Sequence, residues 1–98
     1  MTTNSDYATP HISLIPAPSG KGTFSILSDG ALVGRPDSTA VKMWCLTPTG
    51  TLSVTYANDA VYFYEDVPME VGIRLIATDS VGAFINKVVK PNYRFFQV

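Results

Sequence analysis

Cysteine and histidine are nearly absent from this chain. Cys45 and His11 are each the single residue of their type among 98. One cysteine forms no disulfide within a chain and supplies no cysteine-rich zinc site. One histidine builds neither a Ser-His-Asp triad nor a histidine metal cluster. Charge is scarce as well: Asp, Glu, Lys and Arg make up 15%, seven basic residues against eight acidic, for a net charge of −1. No global field draws nucleic acid to such a surface, and binding of that kind needs a local patch. No apolar run is long enough to cross a membrane. The first residues lack the basic start and apolar stretch of a secretory signal.

What is present is apolar and aromatic. Hydrophobic residues make up 46% and aromatics 11%, the composition of a folded chain rather than a disordered one. The length suits one domain with a thin core. With so few charges, spare apolar surface is available for a partner to cover. Cys45, between Trp44 and Leu46, reads as a small buried core residue.

The chain divides into three segments. Residues 1–20 hold Pro10, Pro16 and Pro18, which remove backbone donors and prevent a helix. This is an extended arm, and Ile12, Leu14 and Ile15 make it more apolar than a solvated tail requires. Residues 21–37 read as a β-hairpin turning at Asp29-Gly30, where glycine accepts positive φ without penalty. From residue 38 onward three short strands follow. Val41, Met43 and Cys45 are expected on one face of the first, with Trp44 and Leu46 on the other. Pro48-Thr49-Gly50 and Asn58-Asp59 turn the chain. Leu52, Val54 and Tyr56 point inward on the second strand. Val61 and Phe63 oppose Tyr62 and Tyr64 on the third.

The period then changes. Pro68 suits a helix start, and Val67, Val71 and Leu75 fall four apart on one stripe. Ser80 reads as the N-cap of a second helix through Val88, with Val81, Phe84, Ile85 and Val88 as its stripe. Tyr93 to Val98 is an extended tail able to add a last strand. The expected fold is α+β: an antiparallel three-stranded meander packed on two short C-terminal helices, with an added N-terminal β-hairpin and extended arm. Val54, Phe63, Val71, Leu75 and Phe84 should be buried.

From Ser38 to Val98 the chain resembles the KTSC domain, a short module named for its occurrence at the C-terminus of some lysyl-tRNA synthetases. The resemblance is carried by Tyr62-Phe63-Tyr64, then Val67, Pro68 and Val71, then Ser80, Gly82, Phe84 and Asn86, and the aromatic segment Tyr93 to Phe96. It implies a small module of the kind that also occurs as stand-alone bacterial and phage proteins, for which RNA binding has been suggested.

Two surfaces are candidates for function. The arm residues Ile12, Leu14 and Ile15 would contact a partner subunit. Tyr62 and Tyr64 on one strand face, with Lys87, Lys90, Tyr93 and Arg94 near the C-terminus, form the one cluster where basic groups and aromatics interleave, as nucleic-acid binding requires. Gly20-Lys21-Gly22-Thr23 lacks the spacing and strand-loop-helix context of a phosphate loop. Nothing in the residue pattern calls for a nucleophile, a metal or a cofactor. The expectation is therefore a non-catalytic structural or interaction protein, most plausibly a phage virion component such as a capsid cement or decoration subunit, in an oligomeric assembly. It would be found in the virion or cytoplasm and not secreted. The alternative is a small RNA-binding accessory domain.

Overall fold

Three turns of one design build the sheet. At Leu27–Ala31, Thr47–Thr51 and Tyr56–Ala60, the first residue's N–H donates to the carbonyl of the last, and the fourth residue's N–H donates back to the first. The fourth position takes positive φ in each case: Gly30, Gly50 and Asp59. Glycine meets that demand at no steric cost, and Asp is among the few others that tolerate it. Side chains brace the turns, with Asp29 Oδ1 accepting from Ala31 N–H at 2.9 Å and Asn58 Oδ1 from Ala60 N–H at 3.0 Å.

The computed structural model describes residues 13–98. His11 and Ile12 lie outside the described residues. Within them the chain forms β1 (Ile15–Pro16), β2 (Gly22–Ile26), β3 (Leu32–Pro36), β4 (Val41–Leu46), β5 (Leu52–Tyr56), β6 (Val61–Tyr64) and β7 (Phe95–Gln97). These make one seven-stranded antiparallel sheet in sequence order. Two short helices, α1 (Met69–Ala77) and α2 (Val81–Phe84), cross between β6 and β7.

This corrects the expected α+β three-stranded meander. The hairpin is not an addition, because β3 pairs with β4 through Leu32↔Leu46, Val33↔Cys45 and Gly34↔Trp44. The tail does add a last strand, as its extended reading allowed: it is β7, paired with β6. The fold is sheet-rich and antiparallel, with the helices laid on one face. The expectation fell short because Gly34-Arg35-Pro36-Asp37, rich in turn residues, reads as the close of the hairpin segment. In fact β3 runs on to Pro36. Glycine serves there as a place for a neighbour to approach.

Directly paired residues share a face. The helix-covered face carries Leu32, Leu46, Leu52 and Tyr64 in one row and Gly34, Trp44, Val54 and Tyr62 in the next. Val67, Val71, Leu75, Val81, Ile85 and Val89 close over them from the helical side. A bulge between Val41 and Met43 shifts the register of β4. Bulges add a residue and break the strict alternation. Val41 therefore joins Trp44 and Leu46 in the core, while Met43 and Cys45 face the other way. Cys45 is accordingly half-buried on the face away from the helices, not a residue of the helix-covered core. Phe63 shares that face, stacked on Phe96 with centroids 5.5 Å apart.

Helix α1 buries Val71, Gly72 and Leu75. A Cβ at Gly72 would stand 2.8 Å from Leu46 Cδ2, so glycine lets the helix sit close on the sheet. Pro68 occupies the N-cap position, and Glu70 and Arg74 complement the helix dipole. Ser80 caps α2, its Oγ accepting from Ala83 N–H at 3.3 Å. Past Phe84 the helix widens into a π-helical turn, Ile85–Val89, where Lys90 N–H donates to Ile85 O at 2.8 Å. Val89, four residues after Ile85, is buried with it, whereas the expected Val88 is only half-buried. Phe84 is only half-buried, and the Arg74 guanidinium lies 4.9 Å from its ring centre.

A tyrosine-lined groove as the candidate functional site

Asn86 and Lys90 are one wide turn apart, and both border a groove of about 590 Å³. Its other walls are the β5–β6 turn, with Tyr56, Ala57, Asn58 and Ala60, the bend residue Ala40 just before β4, and the sheet positions Tyr62 and Gln97. Gln97 is paired with Tyr62 across β6 and β7. Small alanines leave the space open, and amides and tyrosines furnish it. The size falls within the range of ligand pockets.

Tyrosines hold one another in place here. Tyr56 and Tyr62 meet edge to face, centroids 5.4 Å apart at 84°. Tyr62 also stacks beside Tyr64 at 6.5 Å and tilts on Phe95 at 5.7 Å. Tyr64 has no exposed surface, and its hydroxyl shares a 3.1 Å hydrogen bond with that of Tyr56. Tyr62 is thus the ring of the Tyr-x-Tyr motif that borders the groove. Tyr64 belongs to the core and offers no face for stacking.

The structure separates most of the interleaved cluster. Tyr62 and Lys90 come together in the groove. Lys87 is exposed on the π turn. Tyr93 packs against the core. Arg94 stands out in solvent, its Nε 4.0 Å from Glu65 Oε1. Of the arm residues, Leu14 is exposed and Ile15 is half-buried in β1, paired with Phe24. Sequence reading missed Tyr56, Asn58 and Gln97 as groove residues. Asn86 carried a signal, because it closes the Ser-x-Gly-x-Phe-x-Asn pattern.

Among the described residues, no group of three or more His, Cys, Asp or Glu is placed to hold a metal ion. No described helix is long and apolar enough to cross a membrane. Burial, and then the charge of Asp29, push the Cys45 thiol up. The thiolate, which is the nucleophilic form, is therefore disfavoured at neutral pH.

Burial first, and then the hydrogen bond to Tyr56, hold the Tyr64 hydroxyl well above the ordinary tyrosine pKa of about 10. A folded pKa above the unfolded one means that the folded state keeps its proton longer. The stability this contributes is present in full below about pH 10 and is lost as pH rises beyond it. Thermal unfolding across that alkaline window should show the wild type losing Tm faster than Tyr64→Phe, which has no proton to release. Parallel losses in the two proteins would refute the assignment.

Comparison with known proteins places the segment that carries this site. The KTSC domain profile matches residues 47–93, from the β4–β5 turn to the end of the helical segment. A protein of Tsukamurella paurometabola is 42% identical over 43 residues, 44% of this chain and 64% of that protein. An uncharacterized protein of Stutzerimonas stutzeri is 42% identical over 48 residues, 48% of this chain and 68% of that protein. The chain spans about two thirds of the length of each relative, and the matches leave about half of this chain unpaired. The family profile spans the motifs centred on Tyr62, Pro68 and Asn86, and the chain belongs to the KTSC domain family.

Proposed function

We propose that this protein is a non-catalytic interaction module that seats an extended segment of a protein partner in the groove between Tyr56, Tyr62, Asn86, Lys90 and Gln97. The observation that carries the reading is the groove's furnishing: three carboxamides, two tyrosines and one cation. Asn and Gln side chains both donate and accept, which matches the alternating donors and acceptors of a peptide backbone. Tyrosine adds rigid contact area at low entropic cost. The near-neutral net charge also favours protein contacts. Docking onto neighbouring subunits of a particle, as a capsid decoration protein does, is one setting for such a module.

A displayed random-peptide library panned on the full chain tests this. Enriched peptides should bind wild type at least roughly tenfold more tightly than Asn86→Ala or Tyr62→Ala. Both variants should keep the wild-type circular dichroism. Equal binding by the variants would mean that the groove is not the docking site.

One observation favours a second reading, single-stranded RNA: Tyr62 and Lys90 share the groove. Base stacking on tyrosine with a phosphate held by lysine is the usual arrangement for that ligand. Fluorescence anisotropy with a short oligouridylate decides. RNA contact through Lys90 should weaken steeply with salt and fall with Lys90→Ala. No binding at low salt removes this reading.

A further inference from the structure

The two edges of the sheet are not alike. On β1, Ala17 N–H donates inward to Gly22 O at 3.0 Å. In an antiparallel pair inward and outward groups alternate, so residue 16 is the one whose N–H would point outward. That residue is Pro16, which has none. Proline is a recognised guard against edge pairing. On β7, Val98 N–H donates inward to Val61 O and Arg94 O accepts from Glu65 N–H. By the same alternation, the N–H and C=O of Phe95 and Gln97 point outward. Among the described residues nothing guards this edge. Phe95, Phe96 and Val98 are exposed large apolar residues, and no charge lies between Arg94 and Val98.

We propose that two copies of this chain pair edge to edge through β7, making one continuous antiparallel sheet. The spacing of the outward groups sets the register. Phe95 of one copy exchanges both hydrogen bonds with Gln97 of the other, and Gln97 with Phe95. Phe96 then faces Phe96 across the two-fold axis. The register is self-complementary, which is what an isologous interface demands. It extends the Phe63–Phe96 stack into a row of four rings on the open face. It also sets the two Arg94 side chains at opposite ends of the shared ladder, so like charges stay apart. Because Pro16 withholds its donor, β7 finds no matching edge at β1. The assembly therefore closes as a dimer rather than growing head to tail. On the helix side, Phe95 of the second copy stands beside Gln97 at the border of the groove. The proposal does not depend on what the groove binds.

The test is sedimentation equilibrium of the full chain over a wide concentration range, joined to cysteine cross-linking in a Cys45→Ala background. Residues facing each other in a non-hydrogen-bonded pair lie at disulfide distance. Phe96→Cys should therefore give a covalent dimer on mild oxidation, whereas Phe95→Cys, offset from its own symmetry mate, should not. Gln97→Pro removes only an outward donor and leaves the ladder to β6 intact. It should raise the dimer Kd by roughly tenfold or more, since two symmetric bonds are lost. A monomer at every concentration would overturn the proposal. So would a dimer that is indifferent to Gln97→Pro, or equal cross-linking at positions 95 and 96.

Discussion

Replacing Trp44 by alanine should lower the unfolding free energy by about 3–5 kcal/mol, the range for a large buried aromatic. Trp44 is 2% exposed near the centre of the sheet, and its indole lies over Gly34 on the neighbouring strand. A Cβ at Gly34 would stand 2.1 Å from Trp44 Cε2 and Nε1. No side chain other than hydrogen leaves room for that ring. Gly34→Ala should therefore cost about 1–3 kcal/mol or more by overpacking. Once the ring is gone the penalty should largely vanish, so Gly34→Ala in the Trp44→Ala background should cost little. Urea titration of the four proteins gives the coupling energy. Equal costs of Gly34→Ala in both backgrounds would show that something other than the indole requires this glycine.

The pairing of Gly34 with Trp44 also shows where sequence reading reached its limit. Local signals were legible. The turn residues Gly30, Gly50 and Asp59, the Ser80 cap and the stripe Val67, Val71, Leu75 all act within a few residues of themselves, and their chemistry is visible in the string. What joined β3 to β4 was a contact between a glycine and a tryptophan ten positions later. In isolation, Gly34-Arg35-Pro36-Asp37 carries every mark of a turn. Only the shape of Trp44 tells a strand glycine from a turn glycine, and shape across strands has no local signature. The bulge at Val41–Met43 had the same effect. Strict alternation assigned Val41 to the face of Met43 and Cys45, and one extra residue moved it to the core.

The groove was legible in part for a related reason. Lys90 and Tyr62 were visible as a basic residue and an aromatic, and Asn86 as the end of a motif. Asn86 and Lys90, four apart on the helical segment, fall together on its exposed side, while Ile85 and Val89 take the core. The stripe of Val81, Phe84, Ile85 and Val88 fell one residue short of Val89, the position that is buried with Ile85. Gln97 reaches the groove only because the tail pairs with β6, a contact more than thirty residues long in sequence. Arg94 and Lys87 looked like neighbours of Lys90 on the string. They are separated in space because one follows the end of the helix and the other lies on its outer side.

Leu75→Ala should cost about 2–5 kcal/mol, whereas Ile73→Ala on the same helix should change stability by no more than about 0.5 kcal/mol. Both residues are branched aliphatics in the middle of α1, with the same backbone and nearly the same volume. They differ in what they face. Leu75 is 2% exposed, on the stripe with Val71 that packs onto the sheet, and Ile73 is 60% exposed. Truncating Leu75 removes buried methyl groups and leaves a cavity that the sheet cannot fill, because the β3 and β4 backbones under the helix are held by ladder hydrogen bonds on both sides. Truncating Ile73 takes atoms out of water, and alanine's higher helix propensity offsets part of any loss. The half-buried Phe84, packed against the edge of the core with Arg74 over its ring, should fall between the two. Chemical denaturation of the three variants at constant m-value measures the order. If Phe84→Ala proves costlier than Leu75→Ala, the junction of α1 and α2 carries more of the stability than the helix–sheet contact. If Ile73→Ala costs as much as Leu75→Ala, that face of α1 is covered in solution by another surface.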